Sequence, residues 1–313
     1  MKKIIVTTTI NKPTQATLKF CSIKDWSLII VGDKKTPHDD YFELQSKFSN
    51  VKYMHPDEQE KKYKKISDLI GWNYPTRRNI GFIEAYNLGA DVVATVDDDN
   101  IPYDDWGQNL LINKEIEVDT YKCDDVAFDP FSVTNNSHLW QRGYPIELLK
   151  TKNDIEYYGK IKRKVLVQAD FADGDPDIDA MARLTYKPSV KFNIDNPYCS
   201  NKIAPFNSQN TFISREVLPH YCVLPHCGRM DDIWGSYLLQ HYFPESVVYN
   251  KSSVCQVRNE HDLVKDLELE IIGYRNSFKL LNDLSNFVDY IPSEASKFYR
   301  AYTEQFNEGV INE

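Results

Sequence analysis

The stretch Asp91-Val-Val-Ala-Thr-Val96, running straight into Asp97-Asp98-Asp99-Asn100, constrains this chain more than any other feature. A short, nearly all-apolar run reads as a strand covered on both faces, inside a sheet. Ligands of open α/β sheets bind beyond the carboxyl ends of such strands, and the triple aspartate stands there. Three adjacent carboxylates repel and raise one another's pKa unless a counter-charge is present. A hard divalent cation, Mg²⁺ or Mn²⁺, supplies it through oxygen ligands and retained waters. Such an ion bridges a diphosphate and stabilises charge on a leaving nucleotide. In an extended segment Asp97 and Asp99 point to one side and Asp98 to the other. Two of the three would then serve metal and ribose while one packs elsewhere. The bland alternative is an acidic surface turn.

The flanking sequence supports a sheet. Lys3 to Ile10 and Ser27 to Val31 are β-branched runs, and Thr14 to Cys21 between them has the length of a crossover helix. That is the opening of a βαβ unit with parallel strands. Thr76 is placed to cap a helix over Arg77 to Leu88, with Gly89 at its C-terminal stop. The charge run at 57–65 reads as a solvated helix or loop. Val165 to Ala169 is strand-like, Asp232 to Tyr242 is helical, and Asp262 to Tyr302 is mostly helical in pattern. The fold class is therefore α/β, a mainly parallel central sheet flanked by helices with a helical C-terminal extension. The expected division is a domain over 1–262, with halves of about 1–105 and 106–262, and an extension over 263–313. Its aromatics Phe287, Tyr290, Phe298, Tyr299 and Tyr302 are expected to pack on the core.

Composition narrows the function. A formal net charge of −9 over 313 residues argues against a general nucleic-acid binder, which needs a basic face. The start MKKIIVTTTI is too short and too β-branched for a secretory signal, and no run approaches about 18 apolar residues. Six cysteines with no CxxC pair fit reduced thiols. The expectation is a soluble chain in the cytoplasm, with membrane-peripheral association left open and the oligomeric state unread. His220, Cys222, His226 and Cys227 match no common zinc spacing and read as an ordinary loop with buried thiols.

Several residues carry candidate chemistry. Arg77, Arg78 and Asn79 open a helix, where guanidinium groups and the N-terminus together suit a phosphate or diphosphate; solvent-facing arginines are the alternative. Thr7, Thr8 and Thr9 end the first strand on the same edge and, with Asp33, stand to contact base and ribose, or to serve as turns and caps. Asp175, Asp177 and Asp179 lack the EF-hand spacing and read as a substrate-facing loop. Asp231 and Asp232 open a helix either as caps or as a general base for an acceptor hydroxyl.

Taken together, Thr76-Arg-Arg-Asn-Ile-Gly81 followed by Val96-Asp-Asp-Asp-Asn100 resembles the GT-A glycosyltransferase pattern of an arginine–asparagine helix and a DXD site. Arg142-Gly-Tyr-Pro145, Asp175-Pro-Asp-Ile-Asp-Ala180, Asn207-Ser-Gln-Asn-Thr211, Asp232-Ile-Trp234 and Gln256-Val-Arg-Asn-Glu-His261 with Lys265-Asp266 resemble the plant STELLO family. More distantly they resemble the reversibly glycosylated polypeptides that act as UDP-arabinopyranose mutases. The similarity runs in blocks from about residue 72 to 270.

The resemblance implies a GT-A fold and a transferase that moves a sugar from a nucleotide sugar, UDP-linked, to an acceptor hydroxyl with inversion. It places ribose and metal (Mn²⁺ or Mg²⁺) at Asp97 and Asp99, a base at Asp232, and a further metal ligand at His261. Arg142 matches the mutases' glycosylated arginine, but their second arginine, seven residues on, is Leu149 here, which leaves Arg142 as an expected active-site residue contacting phosphate or sugar. The implied alternatives are a nucleotide-sugar mutase and a scaffold that has lost the chemistry.

Overall fold

Short β-branched runs alternate with helical spacing through the first hundred residues, and each forms its own element. The computed structural model describes residues 1–186, 188–258 and 262–307. Its first half contains strands β1 (Lys3–Thr9), β2 (Ser27–Gly32), β3 (Val51–Met54) and β4 (Val92–Val96). Helices α1 (Gln15–Cys21), α2 (His38–Lys47), α3 (Pro56–Ile70) and α4 (Arg78–Asn87) connect them. Strands β5 (Asn100–Pro102), β6 (Glu115–Lys122), β7 (Glu156–Lys164) and β8 (Val167–Gly174) follow, then helix α5 (Ala180–Thr185). The chain continues through β9 (Tyr198–Ser200), β10 (Asn210–Ser214), α6 (Asp231–Tyr242), β11 (Val247–Gln256), α7 (Leu263–Asn282) and α8 (Ser293–Asn307).

Among the described residues the strands form one sheet in the order β3-β2-β1-β4-β10-β8-β11-β9-β6-β7, with β5 paired to β11. It is parallel across β3-β2-β1-β4 and mixed beyond. The α/β expectation holds, with helices on both faces. One core layer sets α3, α4, α6 and α8 against the sheet through residues such as Ile66, Phe82, Trp234 and Phe298. The other gathers Phe20, Trp26, Tyr41, Trp106 and Phe212. Every residue of β4 is buried, as its apolar sequence requires.

Local chemistry explains the helix ends. The Thr14 hydroxyl accepts a hydrogen bond from the Thr17 amide and caps α1. Gly89 stops α4 in the left-handed region, at φ +76°. The expected Thr76 cap is corrected. Pro75–Arg77 forms a 3₁₀ turn that runs directly into α4, and the Thr76 hydroxyl has no partner among the described residues. The 57–65 charge run lies on α3, exposed except where Gln59 and Tyr63 turn inward. Phe298, Tyr299 and Tyr302 are buried in the core, while Phe287 and Tyr290 pack at its edge.

The C-terminal helices brace the segment before α6. Gly228 sits at φ +60°, and a Cβ there would lie 2.1 Å from the Leu269 carbonyl oxygen on α7. Gly228→Ala therefore strains the backbone and pushes α7 away. A loss of about 2–4 kcal/mol is expected in urea denaturation. An unchanged midpoint would show that α7 is not seated on this turn.

Candidate active site

Strands β1, β4, β8 and β11 run in one direction and bring their carboxyl ends to one sheet edge. β10 runs the opposite way between β4 and β8, so its entry, Ser208-Gln209, reaches the same edge; the Asp97 amide bonds the Gln209 carbonyl at 3.3 Å. Helices α4 and α6 point their N-termini there. A cavity of about 710 Å³ opens between these ends, within the usual size of a ligand pocket. Six aspartates line it (33, 97, 98, 99, 231 and 232) against four arginines (78, 142, 229 and 258).

The aspartate triplet is a turn, not an extended segment: the Asn100 amide closes on the Asp97 carbonyl at 3.4 Å. The alternation expected for Asp98 is thereby corrected, and all three side chains reach the cavity. Their partners separate them. Asp97 is ion-paired with Arg78, and burial still holds its carboxyl above the ordinary value. Asp98 accepts from the Thr9 hydroxyl and from the Asn11 amide at 3.1 Å, tying the turn to the end of β1. Asp99 keeps a buried Oδ1 with no hydrogen-bond partner among the described residues, and Gln256 donates to its Oδ2 at 3.5 Å. Burial, reinforced by Asp97 and Asp98, pushes its pKa up to about 7.

The arginine–asparagine segment divides similarly. Arg78 lines the cavity and also donates to Thr95 Oγ1 (3.0 Å) and the Ser208 carbonyl (2.6 Å). Arg77, expected beside a phosphate, points elsewhere. It bonds Gln59, Ser67 and the Gly71 carbonyl, and lies 3.6 Å from the Trp72 ring centroid. Helical spacing turns consecutive residues about 100° apart, so only one of the pair can face the site. Asn79 likewise bridges the chain at Val223, accepting from its amide at 2.9 Å and donating to its carbonyl at 2.7 Å. Thr8 lines the cavity, and Thr7 is buried away from it. Asp33 reaches it while accepting from the Lys34 (2.6 Å) and Asn73 (2.7 Å) amides, which pins the loop before α4.

Opposite the triplet, Arg142 bridges two buried carboxylates. Nε lies 2.8 Å from Asp177 Oδ1 and Nη2 3.1 Å from its Oδ2; Nη1 and Nη2 reach the Asp232 oxygens at 3.0 and 3.3 Å. Asp232 Oδ2 also accepts from the Ser208 amide (2.8 Å) and hydroxyl (3.0 Å). Burial alone would raise Asp232, but Arg142 overrides it and holds the carboxyl low. Asp231 differs: burial and the adjacent Asp232 charge raise it to about 7.

The 175–179 loop is less substrate-facing than its sequence suggests. Asp175 pairs with Arg183 and Arg258, Asp177 anchors Arg142, and Asp179 caps α5. Residues missed from sequence include Ser208, which meets Arg78 and Asp232, and Arg258, which meets Asp175; their partners come from other segments of the chain. His261 lies outside the described residues. Cys222 and Cys227 are buried in the core with thiol pKa values raised by burial. Among the described residues, no group of three or more His, Cys, Asp or Glu side chains converges on one metal position. No helix there is long and apolar enough to cross a membrane.

No family model matches the chain. Curated relatives do. Over 229 residues it is 24% identical to Probable glycosyltransferase STELLO1 of Arabidopsis thaliana, covering 67% of this chain and 29% of the relative. The likeness is to STELLO proteins. Probable glycosyltransferase STELLO2 of the same plant is 23% identical over the same length and shares. The chain thus spans under a third of these STELLO relatives. A solved structure, glucosyl-3-phosphoglycerate synthase from Mycobacterium tuberculosis in complex with phosphoglyceric acid, aligns over 93% of this chain and 81% of that one, at 12% identity and TM-score 0.45.

Proposed function

We propose that this chain is a metal-dependent GT-A glycosyltransferase that moves a sugar from a UDP-sugar to an acceptor hydroxyl, with inversion, in glycan or polysaccharide synthesis. The STELLO likeness supports glycosyl transfer. The observation that carries the finer reading is the buried Oδ1 of Asp99, which has no partner among the described residues, in an acid-rich cavity of donor size.

The residues fit a divalent cation. Among the described residues no donor reaches Asp99 Oδ1, and burial, reinforced by the neighbouring Asp97 and Asp98 charges, holds its pKa up. Mg²⁺ and Mn²⁺ sites of this kind use one or two carboxylates and take their remaining ligands from substrate phosphates and water. A site with few protein ligands is therefore consistent with donor-dependent binding. Asp99 would hold the ion, with Asp97 beside it fixed by Arg78. Bound there, the ion would neutralise diphosphate charge.

The protein groups supply the rest. Thr8 and Asp33 line the cavity and would contact base and ribose, Arg78 would offset charge on the leaving diphosphate, and a carboxylate of the Asp231–Asp232 pair would take the acceptor proton. Arg142 donates from Nε and both terminal nitrogens to carboxylates, which fixes it as a charged anchor and weighs against a glycosylated-arginine mutase cycle.

The test is release of UDP from UDP-sugars with Mn²⁺ in the presence of hydroxyl acceptors. Acceptor-stimulated release lost on chelation is expected. A donor converted to an isomer with no UDP released would favour the mutase.

A further inference from the structure

The two carboxylates that open α6 look equivalent in sequence and are not equivalent in space. Asp232 has both oxygens committed, to Arg142 and to the amide and hydroxyl of Ser208. A carboxylate holding four charge-assisted or buried hydrogen bonds is a poor proton acceptor, because protonation breaks them. Asp231 accepts only the Asp232 amide on Oδ1 (2.9 Å), and no hydrogen bond reaches its Oδ2 among the described residues. It lines the cavity and is less enclosed than Asp232.

We propose that Asp231 is the proton acceptor of the transfer, and that Asp177 acts as a positioning residue, clamping Arg142 so that Arg142 keeps Asp232 ionised. This rests on the glycosyl-transfer reading. The acceptor O–H bond breaks and its proton goes to Asp231. The oxygen bonds the anomeric carbon, and the bond from that carbon to the diphosphate oxygen breaks with its electron pair leaving on the diphosphate. Asp232 takes no proton.

Asp177 is held from four directions that do not involve substrate. Besides the two bonds from Arg142, Asn207 donates at 2.8 Å and Gln141 at 3.2 Å. Arg142 also donates to the Arg229 carbonyl. One guanidinium thus ties the loop after β8 to the residues that open α6. The groups facing Asp231 are Asp232 on its own helix, Arg142 from the 139–145 loop, Arg78 from α4, and Tyr221 and Cys227 from the segment before α6. Among them the arginines lower its proton affinity, and Asp232 raises it.

The clamp predicts shifts in the same direction for two substitutions. Arg142→Met leaves Asp231 and Asp232 without their main counter-charge, and the acid limb of the pH–kcat profile moves up by about one unit. Asp177→Asn loosens the clamp on Arg142, and the limb moves up in the same direction by a smaller amount. A merely structural role would lower kcat in both without moving either limb.

Asp231→Ala and Asp232→Ala are then compared in formate, a small external base. Rescue of at least tenfold in Asp231→Ala and none in Asp232→Ala is expected. Rescue of Asp232→Ala alone would overturn the assignment, as would unmoved limbs in Asp177→Asn, a variant that holds whether or not Arg142→Met folds. Infrared difference titration of wild type against Asp231→Asn reads the carboxyl without turnover, and a protonation step near pH 7 is expected. A chain that shows this step but transfers no sugar would refute the transferase reading and leave the carboxylate division standing. A step below pH 5 would refute the division itself.

Discussion

Asp99→Asn is expected to abolish donor turnover, by about 10³-fold or more, while making the folded protein more stable at pH 8. Both effects come from the same crowding. In the folded protein the Asp99 pKa is raised from 3.8 to about 7. Between those values the folded state holds a proton the unfolded chain has released, so stability falls as pH rises through the window. The penalty is complete above pH 7 and absent near pH 4. An asparagine removes it, raising Tm by roughly 4–8 °C at pH 8 and leaving it unchanged near pH 4. Residues kept at a stability cost mark sites selected for chemistry. A Tm that is unaltered at pH 8, or lower, would show that Asp99 is already compensated and would weaken the cation reading. The pH profile of Tm for both proteins checks it directly.

Arg78→Met is the second large effect, and it acts on the fold. Arg78 is buried and joins Asp97, Thr95 and the Ser208 carbonyl, stitching α4 to β4 and to the entry of β10. Removing one partner of a buried ion pair leaves an uncompensated charge and costs about 3–5 kcal/mol. The Asp97 carboxyl, already raised by burial, rises further without Arg78, so the destabilisation shrinks as acid protonates it and is larger at the higher pH. Urea denaturation at pH 7.5 and at pH 4.5 separates these. Arg77→Met is the control. It also destabilises, through Gln59, Ser67 and Trp72, but its loss does not depend on Asp97 and leaves donor binding in place.

These pairs show what a linear sequence can carry. The strand 92–96 and the aspartates after it were legible because burial on both faces and a carboxylate run are local patterns. So were the helix stop at Gly89 and the dense helical tail. The choice between Arg77 and Arg78 was not, because it turns on the 3₁₀ entry to α4, which rotates one side chain inward and the other onto Trp72. The triplet's turn was hidden for a similar reason: the Gln209 carbonyl accepts from the Asp97 amide and from Asn100 Nδ2, and it comes from a strand more than a hundred residues away. The division between Asp231 and Asp232 depends on Arg142, Asp177 and Ser208, three segments that meet only when β8 and β10 pair. Local signals pointed to the candidate site, and long-range pairing decides which of its side chains face the cavity.

In the proposed function the cavity would bind a nucleoside diphosphate and a divalent cation together, each raising affinity for the other. Calorimetric titration of UDP with and without Mn²⁺, for the wild-type chain and Asp99→Asn, tests that coupling. Tight UDP binding only with Mn²⁺, lost in Asp99→Asn, is the predicted result. UDP binding that is equal with and without the metal, or no binding under either condition, would contradict it.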